Sequence, residues 1–162
     1  MITELLASAQ RIAALLKARG ETIAVAESST AGLVCAALLA VPGASAYFEG
    51  GAVVYTRGSR RAFLAIPEEA LAGIRPATEA YALLFARAAR TQLGTVWGLG
   101  ETGSAGPTGN RYGDPAGHSA IAVSGPVEKS LTIETGKSDR LENMRAFAAA
   151  LLDLLEQSLG AR

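Results

Sequence analysis

The sequence predicts an α/β fold in which helices cover both faces of one mixed β-sheet. Five short apolar runs have the length and β-branched content of strands, and four longer segments repeat apolar residues at helical spacing. The two types alternate in the first half of the chain, which is typical of a sheet packed between helices. The last two strands are joined by a short segment containing Gly125 and Pro126, so a hairpin is expected and the sheet cannot be all parallel.

Strands are expected at residues 22–26, 51–55, 95–101, 118–124 and 130–135, and helices at residues 5–19, 30–39, 78–93 and 139–159. Thr3 is a candidate cap for the first helix because its hydroxyl can accept a backbone N–H bond. Gly20 is expected to end that helix because glycine readily adopts the left-handed conformation. A glycine-rich loop is expected between the third and fourth strands.

Length and composition limit the class of protein. The 162 residues predict a single domain over residues 1–162, and 49% hydrophobic against 19% charged residues excludes a disordered chain. Fifteen basic residues balance fifteen acidic ones, which argues against a nucleic-acid partner. The chain has no run of about 18 apolar residues and no secretory pattern at its start, so we expect no membrane association and a cytoplasmic location. Cys35 is alone and can form no internal disulfide.

Two segments of the sequence repeat one pattern. Residues 27–32 and 101–106 both read Glu, hydroxyl, any residue, hydroxyl, Ala, Gly. Each follows a predicted strand, and ligands of open α/β sheets bind beyond the carboxyl ends of the strands. We therefore expect the two segments to form opposite walls of one pocket. The alternative is a chance repetition of common small residues.

The first segment lies where a strand passes into a helix. Free backbone N–H groups and the positive end of the helix dipole favour a bound phosphate, or an oxyanion formed during acyl transfer. A hydroxyl beside such a site is a candidate nucleophile. Ser28, Ser29, Thr30 and Gly32 are the candidate site residues here. The alternative is that Ser29 or Thr30 only caps the helix.

The second segment supplies small residues and hydroxyls whose backbone can approach an anion closely. Its candidate substrate-binding residues are Thr102, Gly103, Ser104, Ala105 and Gly106. The segment lacks the Gly-Lys-Ser/Thr ending of a phosphate-binding P-loop. Glu27 and Glu101 are not accompanied by a third clustered carboxylate, so no metal site is expected.

A serine nucleophile needs a base, and the usual one is not evident. The sequence has no G-x-S-x-G motif, and its single histidine, His118, opens a strand, where a structural role is expected. Lysine, tyrosine or a carboxylate remain as activators. Arg57, Arg60 and Arg61 after the second strand, and the later Arg140, are candidates for binding a phosphate; the alternative is that they cover a solvated face.

Several motifs in order resemble the CinA C-terminal domain family, which includes nicotinamide-mononucleotide amidohydrolases. They lie at residues 26–32, 41–48, 50–56 and 102–107, and the resemblance runs from about residue 5 to residue 155. It implies a three-layer α/β/α fold around a mixed five-stranded sheet. It also implies a serine hydrolase without a cofactor, which uses a Ser/Lys pair to release ammonia from the carboxamide of nicotinamide mononucleotide.

The resemblance assigns roles to individual residues. The family serine falls on Ser28, its tyrosine on Tyr55 and its arginine on Arg140, which with the loop of residues 102–108 is expected to hold the phosphate of a small nucleotide-like substrate. The family lysine is replaced by Arg60. Arginine stays charged and cannot accept a proton, so Arg60 is expected to supply positive charge at the catalytic site instead.

The replacement of the lysine leaves further hypotheses open. One is a homologue that binds the nucleotide but has impaired catalysis, and another is an unrelated amidase or esterase on the same scaffold. The larger additional domain of full-length family members is absent from this sequence. Family members are often dimeric, and Phe48, Val53 and Trp97 are candidates for a homodimer interface, which the sequence does not decide.

Overall fold

A computed structural model describes residues 2–160 and contains one mixed sheet of five strands. The strands are β1 (Ile23–Glu27), β2 (Phe48–Val53), β3 (Trp97–Ser104), β4 (His118–Ser124) and β5 (Lys129–Glu134). Their order across the sheet is β2-β1-β3-β4-β5. β1 pairs parallel with β2 and β3, whereas β4 pairs antiparallel with β3 and β5. The predicted mixed sheet and terminal hairpin are therefore confirmed.

Helices cover both faces of this sheet. They are α1 (Leu6–Arg19), α2 (Leu33–Leu39), α3 (Arg57–Leu64), α4 (Glu79–Leu93) and α5 (Arg140–Gly160). Helices α1, α2 and α5 pack together on one face, and α4 with α3 lies on the other. The three-layer α/β/α arrangement expected from the resemblance is confirmed.

The central strands alternate large and small side chains, and this alternation sets the distance to each helical layer. Large side chains such as Val25, Leu99 and Ile121 enter the core beneath α1, α2 and α5. On the other face the same strands present alanine and glycine, so α4 packs directly against their backbone. Because side chains of a strand point alternately to opposite faces, this asymmetry is encoded in the sequence.

Several predicted boundaries were wrong. Residues 2–5 form a 3-10 turn and Leu5 precedes α1 without a side-chain cap, so Thr3 does not cap that helix. Gly20 does end it, in the left-handed conformation with φ 62°. Helix α2 begins at Leu33 rather than residue 30, because Ala31 and Gly32 have positive φ angles and form a turn.

Helix α3 was not predicted. Its sequence is rich in arginine, and only Arg60 and Leu64 are buried, so no apolar periodicity marks it. It begins instead with a capping box, in which Thr56 and Ser59 each accept the backbone N–H of the other at 2.9–3.1 Å. This cap fixes the chain direction after β2 and turns Arg60 inward.

Trp97 cannot take part in a homodimer interface. Its side chain is fully buried between the sheet and the α1/α5 layer, and its Nε1 donates to Glu21 Oε2 at 2.6 Å. Phe48 is half-buried and Val53 is exposed on the edge strand β2. Within residues 2–160, no helix is both long and apolar enough to cross a membrane.

The close approach of α4 to β3 gives a prediction for Gly100→Ala. A Cβ at this position would lie 2.1 Å from the carbonyl oxygen of Ala82 and 2.7 Å from the backbone nitrogen of Ala86, so the helix would have to move. Overpacking of this kind typically costs about 1–3 kcal/mol, and we expect a loss of unfolding free energy at the upper end of that range. Gly58→Ala in α3, where the nearest atom is 3.8 Å away, is the matched control. Urea unfolding with equal losses in both variants would refute the close-packing account.

Candidate active site

A cleft of about 550 Å³ opens at the carboxyl ends of β1 and β3. Ser28, directly after β1, and Thr102 and Gly103, at the end of β3, all line it. The two segments that share the Glu-hydroxyl pattern therefore face one cleft, as their repetition in the sequence predicts. The alternative of a chance repeat without spatial meaning is not supported.

The remaining walls come from several other parts of the chain, including the segment between α3 and α4. Tyr55 and Arg60 contribute from the end of β2 and from α3, and Tyr81 contributes from α4. The loop after β3 supplies Asn110, Arg111 and Tyr112. Of the candidate residues from the sequence, the cleft thus brings together Ser28, Tyr55, Arg57, Arg60, Thr102 and Gly103. The candidates that do not line it are Ser29, Thr30, Gly32, Arg61, Ser104, Ala105, Gly106 and Arg140.

Glu27 occupies the N-terminal end of α2. Its carboxylate accepts the backbone N–H groups of Val34 at 3.0 Å, Gly32 at 3.2 Å and Cys35 at 2.9 Å. Unpaired N–H groups at a helix N-terminus are what makes it an anion site. Here a buried carboxyl group of the protein takes these N–H groups, so they are not free for the substrate phosphate or oxyanion that the sequence predicts at this helix end.

Glu101 reaches from β3 to the turn after β1. Its carboxylate accepts the N–H groups of Ser28 and Thr30, both at 3.0 Å, and the hydroxyls of Ser29 and Ser119. Burial raises the pKa of Glu101, while these hydrogen bonds act in the opposite direction. The N–H of Thr30, expected to stabilise an oxyanion, is therefore already engaged.

Thr30 joins the two buried glutamates. Its Oγ1 lies 2.7 Å from Glu27 Oε1 and 3.1 Å from Glu101 Oε2. Ser29 and Thr30 are both buried, and neither side chain caps α2. The hydroxyls of both residues donate to carboxylates that hold the turn, so the helix-capping interpretation is wrong. Substrate binding by Ser29 and Thr30 stays a prediction, and neither residue lines the cleft.

Ser28 differs from its two neighbours because it remains half-buried at the cleft. Its N–H donates to Glu101 and its carbonyl accepts the N–H of Ala31 at 3.2 Å, so the backbone on both sides is fixed. No hydrogen bond from residues 2–160 engages its Oγ. Ser28 is thus the hydroxyl of the first segment that a ligand can reach.

Arg60 is held in the interior of the cleft. Its Nη1 donates to the Tyr81 hydroxyl at 2.6 Å, and the guanidinium lies 6.0 Å from the centroid of the Tyr81 ring. Its Nη2 lies 3.4 Å from Glu68 Oε1. The residue is only 6% exposed, so the interpretation as a solvated surface arginine is wrong for Arg60, whereas Arg57 and Arg61 are exposed.

Arg140 lies beside the cleft rather than in its lining. It donates through Nη1 to the carbonyl oxygen of Gly106 and through Nη2 to the Tyr55 hydroxyl at 3.3 Å. Ala105 is anchored near it, because its carbonyl accepts a hydrogen bond from Asn143 Nδ2 at 2.7 Å. Arg140 therefore connects the glycine-rich loop to Tyr55. Arg140 itself reaches the cleft only through this bond, because Tyr55 lines the cleft and Arg140 does not.

Sequence reasoning missed the wall formed by residues 110–112, which the pair Arg75–Asp114 supports. Asp114 accepts hydrogen bonds from Arg75 at 2.6 and 3.2 Å, and the arginine lowers the pKa of this carboxyl group. Arg75 and Arg111 lie 5.3 and 5.1 Å from the centroid of the Tyr112 ring. The turn-forming residues Asn110, Gly113 and Asp114 signalled a compact loop, but no spacing in the sequence indicated that Arg75 would pair with it.

His118 has a structural role, as expected. Its Nδ1 lies 2.6 Å from Glu134 Oε1 and its Nε2 lies 2.7 Å from the carbonyl oxygen of Ala77. Both neighbours are acceptors, which favours the doubly protonated ring. Burial lowers the pKa of His118, but the bonds to Glu134 and Ala77, together with the nearby charges of Asp114 and Glu134, outweigh it and the net pKa is raised. The histidine ties β4 to the segment before α4.

Comparison with known proteins places the chain in a family. The CinA C-terminal domain matches residues 6–159. The chain belongs to this family. It is 38% identical over 148 residues to a CinA-like protein of Anaeromyxobacter sp. (strain K), covering 91% of this chain and 36% of that protein. A CinA-like protein of Myxococcus xanthus (strain DK1622) is 38% identical over 145 residues, with 89% and 34% covered. The chain thus spans about a third of the length of these CinA-like relatives.

Solved structures agree with the fold. A competence-damaged protein (CinA) superfamily protein from Klebsiella pneumoniae 700603 superposes with a TM-score of 0.90 at 25% identity, over 98% of this chain and 99% of that one. The competence/damage inducible protein CihA from Agrobacterium tumefaciens gives 0.87 at 27% identity, over 96% and 95%. The CinA resemblance seen in the sequence motifs is therefore confirmed.

The His118 contacts predict a pH-dependent stability. A raised pKa means that the contribution of the charged ring is complete below the ordinary value of 6.5 and is lost as the pH rises through the higher folded-state pKa. We expect the unfolding free energy of the wild type to fall relative to that of His118→Gln over this interval. Urea unfolding of both proteins between about pH 5 and about pH 9 measures the difference. Since His118 is the single histidine, parallel curves would contradict the assignment.

Proposed function

We propose that this CinA-family chain is an amidohydrolase that cleaves the carboxamide of a small phosphorylated nucleotide such as nicotinamide mononucleotide. The observation that carries the proposal is the state of Ser28. Its backbone is held by Glu101, while its Oγ has no partner within residues 2–160 and faces a cleft shared with Thr102 and Gly103. A fixed backbone with a free hydroxyl is the arrangement that a nucleophile needs.

The proposed reaction has two steps. Ser28 Oγ bonds to the amide carbon, and the carbon–nitrogen bond breaks to release ammonia, which carries away the proton lost by the hydroxyl. Water then adds to the acyl ester, freeing the carboxylate and restoring the Ser28 hydroxyl. Tyr55 is suited to relay the proton, because its oxygen accepts a hydrogen bond from Arg140 and its own O–H remains available to the cleft.

Positive charge in the cleft comes from arginines rather than from the helix end. Arg60 lies where the resemblance expects a lysine, and its charge stabilises negative charge that develops on the substrate oxygen. Arg57 and Arg111 also line the cleft and are exposed to solvent. Aromatic rings of Tyr55, Tyr81 and Tyr112 line the same space and suit a planar heterocycle.

A second candidate function is binding of the nucleotide without turnover. The fixed guanidinium of Arg60 favours it, because this group cannot take the proton from Ser28. General acid–base catalysis typically contributes about 10²–10⁴-fold to the rate, so a chain without an efficient base would bind far better than it reacts.

Ammonia release from nicotinamide mononucleotide tests the two candidates. The proposal expects measurable release by the wild type and none above background by Ser28→Ala. Ser45→Ala, which removes an exposed hydroxyl outside the cleft lining, should react like the wild type. Equal, nonzero rates for Ser28→Ala and the wild type would remove Ser28 from the reaction.

The same assay on Arg60→Lys separates an amidase from a binding protein. If the lack of a base limits the rate, lysine at this position should raise kcat by a substantial part of about 10²–10⁴-fold. Unchanged kcat together with intact binding would contradict the base-loss explanation. No release by any variant, with nucleotide binding retained, would favour the second candidate.

A further inference from the structure

Arg60 is buried and carries a donor that the protein leaves unused. Its Nε has no hydrogen-bond partner within residues 2–160, although the side chain is only 7% exposed. A buried N–H without a partner has lost its hydrogen bond to water with no replacement, and such groups are rare in folded proteins. The residue lines the cleft, so a ligand there can supply the missing acceptor.

The geometry of the guanidinium defines what that acceptor is. Nη1 is occupied by the Tyr81 hydroxyl at 2.6 Å. Nε and Nη2 point from one edge of the planar group and form a two-donor fork, which fits a carboxylate or phosphate. Within residues 2–160 this edge is contacted only by Glu68, which lies 3.4 Å from Nη2 and is 65% exposed. A long contact to an exposed carboxylate can be exchanged for a ligand.

The surroundings of the fork favour an anion on a planar ligand. Arg57 and Arg111 join Arg60 in the lining of the cleft. Within the described part of the chain, Glu68 is the acidic residue that lines it, so positive charge is in excess. Tyr81 lies alongside the guanidinium, and Tyr55 and Tyr112 face the same cleft. The charge and the rings together suit an aromatic compound with an oxyanion.

We propose that the Nε–Nη2 edge of Arg60 binds an oxyanion of the ligand, which displaces Glu68 from the guanidinium. The oxyanion is a carboxylate or a phosphate monoester, and the choice of pyridine compounds as probes rests on the proposed function. A lysine at this position offers a single point charge and no fork. Arg60 is therefore a ligand-binding residue in this chain, whether or not Ser28 reacts.

Four compounds distinguish the two kinds of oxyanion. Nicotinate mononucleotide carries a carboxylate and a phosphate, nicotinamide mononucleotide only the phosphate, nicotinate riboside only the carboxylate, and nicotinamide riboside neither. Dissociation constants are measured by calorimetry in the Ser28→Ala background, which prevents turnover. Loss of a bidentate charged contact should weaken binding by about tenfold or more, and Arg60→Lys should show this loss only for compounds that carry the recognised oxyanion.

Two further variants test whether the effect is specific to Arg60 and whether Glu68 competes with the ligand. Arg61→Gln changes the neighbouring arginine, which is exposed and outside the cleft lining, and should leave all four constants unchanged. Glu68→Gln removes the competing carboxylate and should tighten binding of the recognised compounds. Unchanged binding in both Arg60→Lys and Glu68→Gln, or an equal loss in Arg61→Gln, would overturn the proposal.

A measurement on the unmodified protein covers the case in which Arg60 variants do not fold. The ¹⁵N–¹H resonance of Arg60 Nε should shift when nicotinate mononucleotide is added, because the donor acquires an acceptor. An unchanged resonance at saturating ligand would overturn the proposal. The binding data are independent of ammonia release, so a chain that binds through Arg60 without hydrolysis would refute the proposed amidase and leave this inference intact.

Discussion

The carboxylate of Glu101 is the interaction on which the site depends. It lies on the central strand β3, is fully buried, and accepts hydrogen bonds from the turn that follows β1 and from Ser119 on β4. These donors are backbone N–H groups and hydroxyls, and none of them carries a charge. A buried carboxylate is costly unless its hydrogen bonds are complete, so any other conformation of the turn would leave that charge unsatisfied. The turn is rigid for this reason, and Ser28 is presented to the cleft by a backbone that is already fixed.

The second glutamate changes where a ligand can bind. Glu27 takes the N–H groups at the start of α2, so the helix end that would otherwise attract a phosphate is neutralised from within. In the proposed function the anion is bound instead by the arginines that line the cleft, Arg57, Arg60 and Arg111. Thr30 links the two glutamates, because its hydroxyl lies within hydrogen-bond distance of both carboxylates.

The sequence predicted the fold well because the relevant signals are local or periodic. Apolar runs of strand length that alternate with segments of helical spacing indicated a sheet between helical layers, and the hairpin at Gly125 indicated the antiparallel end of the sheet. The repeated Glu-hydroxyl pattern correctly indicated a shared cleft. In each case neighbours in sequence, or strands of the same sheet, carried the information.

The predictions that failed concern contacts between residues that are far apart in the sequence. Nothing in the pattern of residues 27–32 shows that the Thr30 N–H meets a carboxylate 71 positions later. The inward position of Arg60 follows from the capping box of α3 and from Tyr81, neither of which a periodicity search detects. The pairing of Arg75 with Asp114 likewise joins two loops with no common motif.

Amide hydrogen exchange at Ser28 and Thr30 tests the role of Glu101 most directly. Glu101→Gln keeps the side-chain shape but replaces one acceptor oxygen with a donor. We expect slow exchange of both amides in the wild type and exchange faster by about tenfold or more in the variant, with the buried amides of α5 unchanged. Glu49→Gln, at an exposed position on β2, is the control and should exchange like the wild type. Equal protection of the Ser28 and Thr30 amides in the wild type and in Glu101→Gln would contradict the account.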